Sequence, residues 1–211
     1  MRVLLTGFEP FGGSVVNPSI EAARALAGTS LDGVTFSTAM LPVDRISGPA
    51  TLVLALETHK PDAVVCLGQA MGRQALSIER VALNLMDYAI ADNAGNIATD
   101  EPVVADGPAA YFVTLPVRAM LAAVQGAGVP VELSLSAGTY LCNQVLYALL
   151  HHLAVNHIST PVGFIHLPAL PAQSAARPSP VPSMILETMI EGVRTAVIAI
   201  RQQWDAGWRP T

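Results

Sequence analysis

The chain predicts an α/β fold: one domain over residues 1–211, a mostly parallel twisted sheet with helices on both faces. Three observations predict it. Short apolar runs bounded by Gly, Pro or Asp recur along the chain, and helix-length patterns lie between them. The runs are continuously apolar rather than alternating, as in strands covered on both sides. With 211 residues, 52% apolar and 13% charged, the chain can bury a substantial core and leaves little to stay disordered.

Taken in order, the first strand covers residues 2–6 and runs into TGFEPFGG. Asn17-Pro18 then opens a helix, with an N-cap residue followed by proline at N1. A strand follows at 35–41. Asp44 can cap the next helix, which must stop before Pro61. Strands are expected at 63–67, 77–84, 131–136 and 162–166, and helices at 116–127, 142–156 and 183–204. Two stretches break this rhythm. Residues 87–114 are polar and punctuated by Gly and Pro, and 167–182 carry five prolines. Excursions of this length serve as lids, binding loops or subunit contacts.

The charge pattern excludes several classes of partner. The net charge is −5, Lys60 is the only lysine, and no basic run appears, so no nucleic-acid partner is expected. Three apolar residues before Thr6 are too few for a signal segment, and no apolar stretch reaches spanning length. No membrane association and a cytoplasmic location are expected. The low charge also fits surface hidden in a homo-oligomer. Two cysteines do not make a disulfide framework, and Cys66, inside DAVVCLG, reads as a core thiol.

Cys142 stands apart. It lies where a strand-like run, a turn at Gly138 and a helix-like run meet, near backbone N–H groups and a positive helix end that favour a thiolate. His166 ends the 162–166 run, where open α/β sheets place their sites. A Cys–His pair needs a third group to fix the imidazole tautomer. Glu79, a carboxylate amid the apolar residues of LSIERVALN, is the best orienting group. Adjacent Arg80 is its competing partner, although strand neighbours point to opposite faces. TGFEPFGG matches neither phosphate-binding glycine motif and presents Phe8 and Phe11 instead, which suits a small, flat, apolar ligand. His151, His152 and His157 fall late in a helix without zinc spacing, and His59 sits at a helix end. No metal and no cofactor are expected.

TGFEPFGG followed by NPS, GQAMGR, IERVALN, GTYLCNQVLY and GFIHLPALP, in that order from residue 3 to about residue 172, resembles the pyroglutamyl peptidase I family of cysteine peptidases. The resemblance implies a catalytic triad of Glu79, Cys142 and His166, and an exopeptidase that removes N-terminal 5-oxoproline from peptides through a thioester. It implies that Phe8 and Phe11 pack around the pyroglutamyl ring, with Asn17 and Gln69 as polar contacts and Ile90, Tyr140 and Leu141 lining the pocket. It also implies a homotetramer. One departure stands out: where the family commonly reads A-R-I-P-D-N, this chain has Tyr88-Ala89-Ile90-Ala91-Asp92-Asn93, so Ala89 replaces an arginine. The alternatives are a catalytically weak homologue that binds pyroglutamyl peptides, or a nucleoside phosphorylase-like enzyme, which would need cationic phosphate ligands.

Overall fold

The computed structural model describes residues 1–209; positions 210 and 211 of the expected domain lie outside the described residues. The elements run β1 (Arg2–Phe8), α1 (Pro18–Leu26), β2 (Ser30–Leu31), β3 (Val34–Leu41), α2 (Ser47–His59) and β4 (Ala63–Gln69). Then come β5 (Leu76–Glu79), β6 (Val81–Leu83), β7 (Ala110–Phe112), α3 (Val117–Gly126) and β8 (Val131–Ser134). The chain finishes with α4 (Leu141–Val155), β9 (Val162–Leu167), α5 (Pro171–Ala175) and α6 (Leu186–Asp205).

Seven strands form one sheet in the order β2-β3-β1-β4-β9-β5-β8. Strands β3, β1, β4 and β9 pair in parallel, as do β5 and β8. The two parallel groups meet head to tail, because β9 and β5 are antiparallel. The period of two along each strand sorts the apolar side chains between two cores. Val3, Leu5, Val65, Leu67, Ile78 and Ile165 face the core that includes residues of α1, α3 and α6. Leu4, Val64, Cys66 and Phe164 face the other, with residues of α2 and α4. The α/β class, the dominant parallel pairing and the helices on both faces are as the sequence predicts.

Helix starts follow local chemistry. Asn17 caps α1, its Oδ1 accepting from the Ser19 N–H at 3.1 Å, with Pro18 at N1. Asp44 Oδ1 accepts from the N–H groups of Ile46 and Ser47 at 2.9 and 2.5 Å, at the turn that leads into α2. That helix stops at His59, with Lys60 in the left-handed conformation before Pro61.

Two expectations need correction. The run at 77–84 is not one strand: it breaks at Arg80, whose N–H bonds to Ser134 O while its carbonyl accepts from Val113 N–H. β5 is buried on both sides and belongs to the main sheet, whereas β6 is half-buried and pairs only with β7. The other correction is that 167–182 is not all loop. It holds α5, whose five residues are too few to print a helical period. His157 also lies beyond α4, with φ at +54°.

Gly7 shows how closely α1 sits on the sheet. A Cβ there would lie 2.4–2.5 Å from backbone atoms of Ile20 and Ser19, which cannot swing away. Gly7→Ala is expected to lower stability by about 2–3 kcal/mol, read as a lower denaturant midpoint at unchanged slope; an unaltered midpoint would disprove this tight docking.

Candidate active site

The site forms at the ends of β1, β4 and β9, where strands feed into loops. On β9, His166 and Phe164 are two apart and share a face, their ring centroids 4.7 Å apart. Gly68 on β4 is the register partner of His166. A Cβ on Gly68 would lie 2.9 Å from the Cys142 sulfur and 2.6 Å from Phe164 Cζ. The missing side chain is therefore what lets Cys142, in the first turn of α4, come down onto the sheet over Gly68, the register partner of His166. Asn143 fixes that helix start: its Nδ2 donates to Leu83 O and Leu85 O, and its Oδ1 accepts from Leu83 N–H.

On the antiparallel side, Ser77 of β5 lies opposite His166, and Glu79 shares its face two residues on. Glu79 Oε1 bonds to His166 Nδ1 at 2.8 Å, and Glu79 is wholly buried. The same oxygen lies 3.0 Å from Arg73 Nη1. Arg73, on the turn between β4 and β5, takes the place the sequence gave to Arg80 as ion-pair partner. With Nδ1–H donated to the carboxylate, the lone pair of a neutral His166 is on Nε2.

Protonation follows burial. Burial first, and then the negative charge of Glu79, push the Cys142 thiol up to about 12, against the opposing charge of Arg73. Burial lowers His166 below its ordinary value, Glu79 raises it, and Arg73 lowers it further. Both directions favour the uncharged forms of the two side chains, thiol and neutral imidazole. Such a pair works when the imidazole takes the proton as the sulfur attacks.

Cys142 opens onto a recess lined by Phe8, Phe11, Asn17, Val43, Gln69, Tyr140 and Leu141. Its cavity volume is about 10 Å³, room for about one water. The walls are apolar apart from the neutral amides of Asn17 and Gln69 and the Tyr140 hydroxyl, and no charged side chain lines it. Tyr140 donates to Ala91 O at 3.2 Å and packs edge-on against Tyr88. Gln69 Nε2 donates to Gln173 Oε1 at 2.8 Å, and Gln173 Nε2 holds Ser14 Oγ and Val16 O. Asn17 is already engaged, capping α1 and donating to Glu9 O at 3.0 Å.

The family model described as pyroglutamyl peptidase matches residues 1–203. The chain belongs to this family. It is 50% identical over 197 residues to the pyrrolidone-carboxylate peptidase of Vibrio vulnificus, covering 93% of this chain and 91% of that one. With the Gloeobacter violaceus pyrrolidone-carboxylate peptidase it shares 49% over 205 residues, 96% of this chain and 98% of that one. The fold matches a mutant pyrrolidone carboxyl peptidase from Pyrococcus furiosus at a TM-score of 0.93 and 39% identity, covering 97% of this chain and all of that one. It matches Bacillus amyloliquefaciens pyroglutamyl peptidase I at 0.92 and 36%, covering 95% and 97%.

Within this pyroglutamyl peptidase fold, Glu79, Cys142 and His166 come together, and Phe8, Phe11, Asn17, Gln69, Tyr140 and Leu141 line one recess. Ile90 is not among the residues that line it: the residue is exposed, its Cδ1 3.9 Å from where a Gly12 Cβ would lie. Its loop is tied together by Asp92, which gathers the N–H groups of Arg45, Ala94 and Asn96. Sequence reasoning passed over Arg73, Gly68 and Gln173. An arginine on a glycine-bearing turn just past a buried strand was the available signal for Arg73; Gln173 left none. Among the described residues no group of three or more His, Cys, Asp or Glu is placed to hold a metal ion.

The raised Cys142 thiol has a measurable consequence. In a Cys66→Ala background, alkylation of Cys142 by iodoacetamide should accelerate about tenfold per pH unit from about pH 6 to about pH 10, following the thiolate fraction. A plateau across that range would show a preformed thiolate–imidazolium pair instead.

Proposed function

We propose that this chain is a cysteine exopeptidase that removes an N-terminal 5-oxoprolyl residue from peptides. One observation carries the reading: a partly exposed thiol in the first turn of α4, over Gly68 and beside a buried His166–Glu79 pair, opens onto an uncharged aromatic recess. In this reading His166 Nε2 takes the Cys142 proton as the sulfur attacks the pyroglutamyl carbonyl. Glu79 orients the imidazole and stabilises the imidazolium that forms. The N–H groups of the first turn of α4, which have no side-chain cap, stabilise the oxyanion. His166 then protonates the leaving amine, and water hydrolyses the thioester.

The recess supports the choice of substrate. A lactam enters without charge and offers one N–H and one carbonyl, which the amides of Gln69 and Asn17 can meet by exchanging part of their present bonds to Gln173 and Glu9. An ordinary N-terminus would bring an ammonium group into a wall with no carboxylate, at a cost of several kcal/mol. A cavity of about 10 Å³ is smaller than the ring, so the half-buried Phe11 and Tyr140, 6.3 Å apart, must part as substrate enters. The absence of a cation from the lining gives a nucleoside phosphorylase-like enzyme nothing to hold phosphate with. A homo-oligomer, a tetramer by the family resemblance, belongs to the same reading, supported by exposed apolar side chains such as Phe112 and Leu135. The two unpaired cysteines suit a reducing, cytoplasmic setting.

Release of a fluorogenic amine from a pyroglutamyl amide tests the assignment. Cys142→Ala is expected to cost about 10⁴-fold or more in kcat/KM, and Cys66→Ala to leave it near the wild-type value. Full turnover by the Cys142→Ala protein would remove the thiol from the chemistry. Ala89→Arg is expected to raise kcat about tenfold or more if oxyanion charge limits the rate; an unchanged kcat shows that the α4 turn suffices.

A further inference from the structure

The guanidinium of Arg73 touches two segments that the mechanism needs and that are remote in sequence. Nη1 lies 3.0 Å from Glu79 Oε1 on β5, and Nη2 donates to Ser136 O at 2.9 Å. Ser136 lies in the segment from β8 to the start of α4, and its hydroxyl accepts from the N–H of Gly138, four residues before Cys142. The backbone N–H of Arg73 bonds back to Ala70 O, next to Gln69, so the guanidinium springs from the turn that ends β4. Arg73 is only about one-quarter exposed and Glu79 not at all, so this pair is not a surface ion pair.

We infer that Arg73 is a positioning residue: its guanidinium fork holds the Glu79–His166 pair and the chain entering Cys142 in one frame, and sets a positive charge beside them. The inference rests on the reading of Cys142 and His166 as the reacting pair. Geometry argues for it because Glu79 Oε1 carries two partners while Oε2 has none. His166 therefore shares its acceptor with a cation. The charged groups that act on His166 are Glu79 from β5 and Arg73 from the β4–β5 turn; Cys142 of α4 lies over Gly68, the register partner of His166, with Cys66 on β4 close enough to affect the thiol. Of these, only Arg73 is positive. Its charge disfavours a second positive charge on His166 and favours a negative one on Cys142. The cation thus keeps the imidazole free to accept a proton while easing the loss of that proton from sulfur.

Two variants test this through pH profiles of kcat/KM with a pyroglutamyl amide, beside alkylation rates of Cys142. Arg73→Met should move the acid limb upward by about one pH unit, since an opposing charge is removed. It should also lower kcat by about ten- to a hundredfold through loss of alignment and slow alkylation at any fixed pH. Arg73→Lys keeps a charge but cannot span both Glu79 and the Ser136 carbonyl. It should leave the acid limb near the wild-type position while kcat still falls. A limb that stays put in Arg73→Met, or shifts equally in both variants, overturns the inference, as does wild-type kcat in either. If Arg73→Met does not fold, the split between limb and kcat in Arg73→Lys decides. Wild-type inactivity on the pyroglutamyl amide would instead refute the functional reading, and the alkylation rates would still test Arg73.

Discussion

One buried oxygen organises this site. Glu79 Oε1 meets both His166 Nδ1 and Arg73 Nη1 on a side chain with no solvent exposure. Taking a carboxylate out of water costs several kcal/mol, which a single neutral imidazole cannot offset; the guanidinium supplies the rest of the compensation. The requirement shapes the fold around it. β5 must bring Glu79 to the face shared with His166, so it joins β9 antiparallel in a sheet otherwise dominated by parallel pairs. The turn from β4 must then be long enough to swing Arg73 back over β5. Removing either partner would leave a buried charge half compensated, which is why the geometry tolerates so little change.

The recess obeys a second constraint, that of excluding charge and water together. Its loops are tied to one another. Asn93 Nδ2 donates to Glu9 Oε1 and Pro10 O, Glu9 Oε1 also accepts from Val43 N–H, and Tyr140 reaches Ala91 O. Glu9, placed between the two phenylalanines, therefore serves the loop framework and keeps its charge off the recess lining. A neutral ring enters with no charge to pair and can exchange hydrogen bonds with the amides of Asn17 and Gln69. A charged amine would have to break into that framework without gaining a partner.

Much of this was legible in the sequence because it depends on local rules. The Asn17-Pro18 start of α1, the stop of α2 before Pro61 and the buried strands print periods and caps that one window contains. Cys142 and His166 stood out because each sits where a strand or helix ends. The rest depends on long-range partners. The break at Arg80 is made by bonds to Ser134 and Val113, more than thirty residues away. Arg73 acquires its meaning only when β5 and the loop after β8 fold beside it, and Gly68 only when α4 descends onto β4. Ile90 stands outside the lining for a related reason: a matched motif position does not fix which way a loop faces.

The raised Cys142 thiol and the alanine at position 89 bear on the same question, namely where the transition state gains what the ground state lacks. Ala89 is exposed, and the loop around it keeps its shape without an arginine, held by the Tyr88 hydroxyl on Gln144 and by Asp92 on Arg45 N–H. Relative to the arginine that the family resemblance implies, Ala89 brings no charge, and the loop stands without one. The positive field that remains comes from the first turn of α4 and from Arg73. Had Cys142 rested as a thiolate, that field would already be engaged before substrate arrived. A neutral thiol leaves it unspent until charge develops on sulfur and then on the carbonyl oxygen. Interactions that strengthen only at that moment lower the barrier rather than merely tightening binding. The low-polarity surroundings that raise the Cys142 thiol, which look like a defect for a nucleophile, are what make the remaining dipoles effective.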